Sequence, residues 1–136
     1  MKKILIFVLL LICSCSTTEQ NKISESNISD KKDILDGRKF KLVSIYPEMN
    51  ITIEFNENKI NGFSAVNRYS SLYEIDGDIF NVYSLITTLM SGSKDKMKAE
   101  DEYLKFLKGA TSYKIEGRKL ILYTLLSNDC LIFEEI

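Results

Sequence analysis

From Asp36 onward, the chain is divided into short runs of alternating apolar and polar residues, separated by turn-forming residues. In residues 51–55 (ITIEF) every second residue is apolar, which is the pattern of a β-strand with one buried face. Asp76-Gly77 separates two such runs and is a typical two-residue hairpin turn. About seven to eight runs follow one another at this short spacing, which predicts a barrel or a sandwich. We therefore expect a mainly β domain of the α+β class, a small antiparallel β-barrel.

The end of the chain contains three of these predicted strands, at residues 112–115, 119–126 and 130–134. Earlier in the chain, Gly62 lies inside a predicted strand, where a glycine indicates a β-bulge or a close approach of two backbones.

One segment, about Lys96–Lys108, has helical rather than strand periodicity. Its apolar residues recur at spacings of three and four: Ala99, Tyr103, Phe106, Leu107 and Ala110. Ser93 or Asp95 is a suitable N-cap, and Gly109 a suitable C-terminal stop. Because the opposite face mixes acidic and basic residues, we expect this helix to plug one opening of the barrel and not to lie on a membrane.

Several polar clusters invite a catalytic interpretation, and each has a simpler one. The acidic residues Glu100, Asp101 and Glu102 are adjacent on the predicted helix and are interpreted as solvated charges. Residues 91–94 (SGSK) match the Ser-x-x-Lys of penicillin-binding proteins and β-lactamases, but residues 36–136 are too few for those folds. We assign no catalytic residue, no metal ligand and no cofactor, and we expect a non-enzymatic protein.

Charge and composition exclude further classes of function. The 136 residues include 18 basic and 19 acidic residues and no histidine. Lys2 and Lys3 are the only charged residues before Cys15. The chain from Cys15 onward therefore has three more acidic than basic residues. Nucleic-acid-binding proteins usually carry clustered basic residues, so no nucleic-acid partner is expected. The lack of histidine removes the commonest general base and metal ligand.

The N-terminus has the pattern of an export signal. Lys2 and Lys3 precede the apolar residues 4–12, a stretch of the length of a signal-peptide core and far shorter than the ~20 residues of a membrane span. Residues 12–15 (ICSC) then resemble the bacterial lipobox, in which Cys15 is the cysteine that receives the lipid. We therefore predict a lipoprotein signal peptide over residues 1–14 and a membrane attachment at Cys15.

Other interpretations of the two N-terminal cysteines are weaker. Cys13 stands where Ala, Ser or Gly is usual, but a signal with two incidental cysteines is the less favoured alternative. A zinc site would need four ligands, which Cys13, Cys15 and the distant Cys130 do not supply. For Cys130 we favour burial over reactivity.

Residues 15–35 are polar and lack periodicity, so they are predicted to be the lipidated N-terminus and a flexible tether with a reach of about 25 Å. The protein is then expected in the cell envelope, facing the periplasm from the outer membrane if the cell has two membranes, because Ser16 is not the Asp that often retains lipoproteins in the inner membrane.

The middle of the chain resembles the META domain (HslJ-like) family. Residues 62–77 (GFSAVNRYSSLYEIDG) are similar to its glycine-rich signature, and Thr88 and Met90 match its Thr-x-Met element. The resemblance extends over about residues 35–135 and implies a small, mostly antiparallel β domain without a catalytic set. It further implies an envelope protein with a binding or stress-related role.

Two positions depart from the family pattern. Val66 and Gly92 stand where many members have cysteine, and if those cysteines pair in other members, their joint absence is expected. A possible ligand or partner groove would be lined by Asn67, Tyr69, Tyr73 and Met90, although hydrogen-bonded structural roles are the simpler interpretation. The alternative function is a small-ligand-binding protein or small hydrolase that uses a groove at the barrel mouth.

The lipid attachment can be tested by metabolic labelling with a palmitate analogue. We expect the wild-type chain and a Cys13→Ala variant to incorporate the label, because both retain the acceptor thiol of Cys15. Cys15→Ala should lose the label and remain unprocessed. Equal labelling of Cys15→Ala and wild type would contradict the assignment.

Overall fold

The computed structural model describes residues 33–126 and 128–136 and contains a closed antiparallel barrel of eight strands. The strands follow one another around the barrel in chain order, and β8 closes it by pairing with β1. The strands are β1 (Lys39–Leu42), β2 (Thr52–Asn56), β3 (Lys59–Phe63), β4 (Arg68–Asp76), β5 (Ile79–Thr87), β6 (Ala110–Glu116), β7 (Lys119–Thr124) and β8 (Cys130–Glu135). One helix, α1 (Lys94–Lys108), lies between β5 and β6, and a short 3₁₀ helix spans Pro47–Met49.

The mainly β architecture with one helix is therefore confirmed. Two-residue turns join β4 to β5 and β6 to β7, as shown by the pairs Asp76–Ile79 and Glu116–Lys119. Helix α1 begins at Lys94, two residues before the predicted start, and Ser93 is its N-cap residue without a capping hydrogen bond from its side chain.

Gly62 marks a close approach between neighbouring strands. A Cβ atom at this position would lie 2.0 Å from the Thr52 carbonyl oxygen and 2.7 Å from the Tyr69 ring. No side chain fits there, so the position requires glycine. The Tyr69 ring thereby packs directly over the β3 backbone.

Side chains fill the interior of the barrel. Fully buried aromatic residues from β1, β2 and β5 form edge-to-face pairs with ring centroids about 6 Å apart, and one from β8 forms such a pair with Tyr103 of α1. They are Phe40, Phe55, Phe80 and Phe133. This dense aromatic core leaves the functional surface of the domain to its outside and its two ends.

Helix α1 closes one end of the barrel, which we call the helix end. From α1, Glu102 accepts a hydrogen bond from Tyr46 in the β1–β2 connection, and Glu100 binds the β3–β4 turn. The buried residues Ala99, Tyr103 and Leu107 confirm most of the predicted apolar stripe. The expectation that the helix plugs an opening is correct.

The chain enters the barrel at the opposite end, which we call the entry end. Leu35 is fully buried there, and the Tyr73 hydroxyl donates a hydrogen bond to Asp33. Residues 33–35, which the sequence analysis placed in the tether, therefore belong to the domain. The predicted signal peptide, Cys15 and the remainder of the tether lie outside the described residues. Within the described ranges, no helix is both long and apolar enough to span a membrane.

Candidate functional site

A buried carboxylate at the helix end organises the surrounding loops. Glu100 is 4% exposed, although it belongs to the acidic run that the sequence analysis interpreted as solvated. Its Oε2 accepts hydrogen bonds from the Ser64 hydroxyl at 2.6 Å and from the Asn67 backbone N–H at 2.7 Å. Its Oε1 accepts one from the Asn67 side-chain amide at 2.6 Å. The solvated interpretation is therefore wrong for Glu100, because four donors of the β3–β4 turn replace its water, the fourth being the Val66 N–H.

These donors also determine the protonation of Glu100. Burial alone would raise the pKa of the carboxyl, but the hydrogen bonds from Ser64 and Asn67 outweigh burial and hold the pKa below its ordinary value of 4.5. Glu100 therefore remains a carboxylate at neutral pH and acts as an acceptor for the turn, which leaves it no proton to donate as a general acid.

Asn67 links Glu100 to the loop that follows β5. Its Oδ1 accepts hydrogen bonds from the Thr88 hydroxyl at 2.8 Å and from the Met90 N–H at 2.7 Å. Its Nδ2 donates to the Met90 carbonyl oxygen at 3.1 Å as well as to Glu100. All four hydrogen-bonding positions of the amide are used. The backbone of Met90 is therefore held from both its N–H and its carbonyl.

The loop held in this way, residues 88–93 between β5 and α1, displays apolar side chains to solvent, and we call it the apolar loop. Leu89 is 97% exposed and Met90 is 65% exposed. Ile86, near the end of β5, is 68% exposed next to it. Three large apolar side chains thus lie together at the surface, on or beside a loop whose backbone is held by a buried polar network, and an exposed apolar group of this kind is typical of an interaction site.

The predicted groove residues separate into two sets. Asn67 and Met90 meet directly, as described above. The Tyr69 hydroxyl lies inside the barrel, 2.6 Å from the Tyr103 hydroxyl and 2.9 Å from the Thr52 carbonyl oxygen. Tyr73 lies toward the entry end, where its hydroxyl is also 2.9 Å from the Glu57 carbonyl oxygen. The groove remains a prediction, and the structure brings together Asn67 and Met90 but not Tyr73.

The buried tyrosines are held in their neutral form. Burial raises the pKa of both Tyr69 and Tyr103 well above the ordinary range of a phenol. A phenolate base or nucleophile is therefore unfavourable inside the barrel. The hydroxyls serve instead as hydrogen-bonding groups between α1, β2 and β4.

The other side chains considered as sites are separate from one another. Cys130 is partly exposed at the start of β8. Ser91 lies in the apolar loop and Lys94 is the first residue of α1, so Lys94 is not one helical turn after Ser91 on the helix. In the part of the chain that the structure describes, no three Cys, Asp or Glu side chains form a cluster that could hold a metal ion.

The amino-acid sequence of this domain matches a known family. The sequence model of the META domain family matches residues 32–135, which is most of the chain. The chain belongs to the META domain family. A comparison with curated proteins gave no match.

Solved structures share the META domain fold of this chain. The NMR structure of a protein from Burkholderia xenovorans is 20% identical and superposes with a TM-score of 0.64 over 75% of this chain and 83% of that one. A second NMR structure, also 20% identical, gives a TM-score of 0.59 over 74% and 90% of the two chains. The crystal structure of a DUF4847 family protein from Bacteroides vulgatus is 12% identical, with a TM-score of 0.58 over 74% and 94%. These identities establish a common fold alone.

The two departures from the META domain pattern lie side by side. A Cβ atom at Gly92 would lie 3.6 Å from the Val66 Cβ and 2.8 Å from its Cγ2. The first distance falls within the ~3.5–4.5 Å range of disulfide-bonded cysteines. In this chain the Val66 side chain occupies the space next to Gly92, so the β3–β4 turn and the apolar loop are in contact at this point.

Sequence reasoning missed the two features that define this site. Glu100 was missed because its neighbours Asp101 and Glu102 hide it in an acidic run, although its spacing from Tyr103 and Leu107 places it beside the buried face. The sequence contains no signal for the exposure of Leu89, because an apolar residue directly after a strand is normally expected to be buried. Asn67 was recognised, with the correct structural role of fixing a loop.

The role of Glu100 can be tested by Glu100→Gln. The amide would place a donor against the donors of Ser64 and Asn67, so we expect a loss of about 2–4 kcal/mol in the free energy of unfolding at pH 7, measured with urea. Because the native state lowers the pKa of Glu100, its contribution is present above pH 4.5 and is lost as the pH falls through the lowered pKa. The difference from wild type should therefore shrink in acid.

Asp101→Asn is the matched control, since Asp101 is the exposed neighbour of Glu100 on α1. It should change the free energy of unfolding by less than ~0.5 kcal/mol. Similar effects of the two substitutions, or a Glu100→Gln effect that is the same at pH 7 and pH 3, would contradict the proposed role.

The geometry of Val66 and Gly92 predicts a disulfide in the double variant Val66→Cys/Gly92→Cys. Oxidation should stabilise the domain by about 2–4 kcal/mol relative to the reduced form. Mass spectrometry of the linked peptides and thermal unfolding with and without reductant would measure both effects. The single variants serve as controls, and an oxidised double variant that is less stable than its reduced form would refute the geometry.

Proposed function

We propose that this META domain protein is a lipid-anchored protein of the bacterial cell envelope that binds another protein through the apolar loop and catalyses no reaction. The anchor would be Cys15, in the outer membrane facing the periplasm if the cell has two membranes. The observation that carries the binding role is the 97% exposure of Leu89 in a loop whose backbone is fixed by Asn67.

The fixed conformation of the loop supports a binding role. Displaying Leu89 and Met90 to water is unfavourable by itself, and the buried Glu100–Asn67 network keeps the loop from collapsing onto the barrel. A surface that is already ordered loses less conformational entropy when a partner binds, and so binds more tightly for the same contacts. The buried network and the exposed side chains therefore both support binding of another protein by the apolar loop.

The interior of the barrel gives less support to the alternative, a small-ligand-binding protein or hydrolase. In residues 33–126 and 128–136, every buried side-chain nitrogen and oxygen atom has a hydrogen-bond partner. A ligand site usually presents a few polar groups that await a partner. The aromatic core and the neutral Tyr69 and Tyr103 also favour a structural interior over a reactive one.

Photo-cross-linking in intact cells tests this function. A photo-reactive amino acid at Met90 should give a discrete protein adduct, and Leu89→Ser should reduce its yield about fivefold or more, corresponding to ~1 kcal/mol. Leu125→Ser is the matched control, because Leu125 is also a highly exposed leucine, at 84%, in a different turn. Absence of a protein adduct from position 90, or equal effects of the two serine variants, would refute the proposed interaction.

A further inference from the structure

A shallow groove of about 330 Å³ continues from the apolar loop along the outside of the barrel. Asn61, Ser70 and Ile86 form one row across β3, β4 and β5, as their strand pairings place them directly opposite one another. Arg68 and Thr88 form the adjoining part of the groove toward the loop. The groove thus connects an exposed apolar side chain with a positively charged one.

The polar groups of this groove are free to bind a partner. Among the described residues, the side chains of Asn61, Arg68, Ser70 and Thr87 have no hydrogen bond or ion pair. The acidic neighbour on the same row, Glu54, lies 3.9 Å from the ammonium group of Lys39, and within the described residues no ion pair joins it to Arg68. Arg68 therefore presents an uncompensated positive charge beside Ile86.

Most of the exposed charges at the start of α1, next to the apolar loop, are positive. Lys94, Lys96 and Lys98 are exposed at the start of α1, and the one acidic residue among residues 94–98 is Asp95. A chain that is acidic as a whole therefore has a local positive excess where its apolar side chains are exposed. Charge complementarity favours a partner that is both apolar and acidic at this surface.

We propose that the groove and the apolar loop bind an extended peptide segment of another protein, in which apolar side chains are accompanied by an acidic one. This inference rests on the proposed function and names the chemistry of its partner. Ile86 and Leu89 contact the apolar side chains, and the Arg68 guanidinium pairs with the acidic side chain. Asn61 and Ser70 hydrogen-bond with the backbone of the segment.

A peptide fits this surface better than a bilayer does. The groove is concave, and the free amide of Asn61 and the free hydroxyl of Ser70 lie side by side on two neighbouring strands, which suits the regular polar groups of an extended chain. A bilayer has a flat surface, and a protein that binds it needs exposed apolar side chains but no groove.

Selection from a display library of random twelve-residue peptides tests the inference. The full chain in lipid nanodiscs is the target, and empty nanodiscs remove peptides that bind lipid. We expect the enriched peptides to combine apolar residues with Asp or Glu. Their affinity for Arg68→Gln should be about tenfold lower, which is ~1.4 kcal/mol, and Lys119→Gln, at an exposed lysine of the entry end, should leave the affinity unchanged.

A tryptophan reporter separates a peptide from a membrane as the partner. The chain contains no tryptophan, so Leu89→Trp introduces a single one at the tip of the loop. Selected peptides should shift its emission to shorter wavelength, and brominated lipids in the nanodisc should not quench it. Quenching by brominated lipids would overturn the inference and assign the loop to the membrane surface.

The remaining outcomes are also decisive. Enrichment without acidic residues, no enrichment, or unchanged binding by Arg68→Gln would refute an acidic peptide as the partner. If cross-linking at Met90 still yields a protein adduct in that case, the proposed function stands and the partner chemistry is wrong. If the adduct is absent as well, both proposals fail.

Discussion

A carboxylate removed from water needs donors, and this requirement on Glu100 determines how the helix end of the barrel is built. The β3–β4 turn supplies the donors, since Ser64, Val66 and Asn67 all direct N–H or O–H groups at one side chain of α1. In this conformation all of these donors reach the carboxylate at hydrogen-bonding distance. That conformation in turn directs the Asn67 side chain at the backbone of Met90. Helix, turn and loop are therefore one hydrogen-bonded unit.

Much of the fold follows from local sequence patterns. Period-two runs such as residues 51–55 and turns such as that after Asp76 identify strands and hairpins because each pattern has a local physical cause. Gly62 was identified for the same reason, since a glycine inside a strand signals close backbone contact. The closure of β8 onto β1 and the burial of Glu100 depend on residues distant along the chain, and no local pattern contains that information.

The neighbouring positions Val66 and Gly92 illustrate how the same junction can be held by different means. Cysteines at these positions would meet the distance requirement of a disulfide. Here the junction depends on the amide of Asn67 and on packing of Val66 against the loop. A junction of this kind is independent of the redox state of the surroundings.

The burial of Leu35 has a mechanical consequence. The first described residues are fastened to the entry end by this side chain and by the hydrogen bond between Tyr73 and Asp33. A tensile load applied to the chain before Asp33 would reach these two contacts first and would pass into the aromatic core before it reached Glu100. The domain is thus built so that pulling at its N-terminus strains the end opposite to the apolar loop and leaves the loop in place.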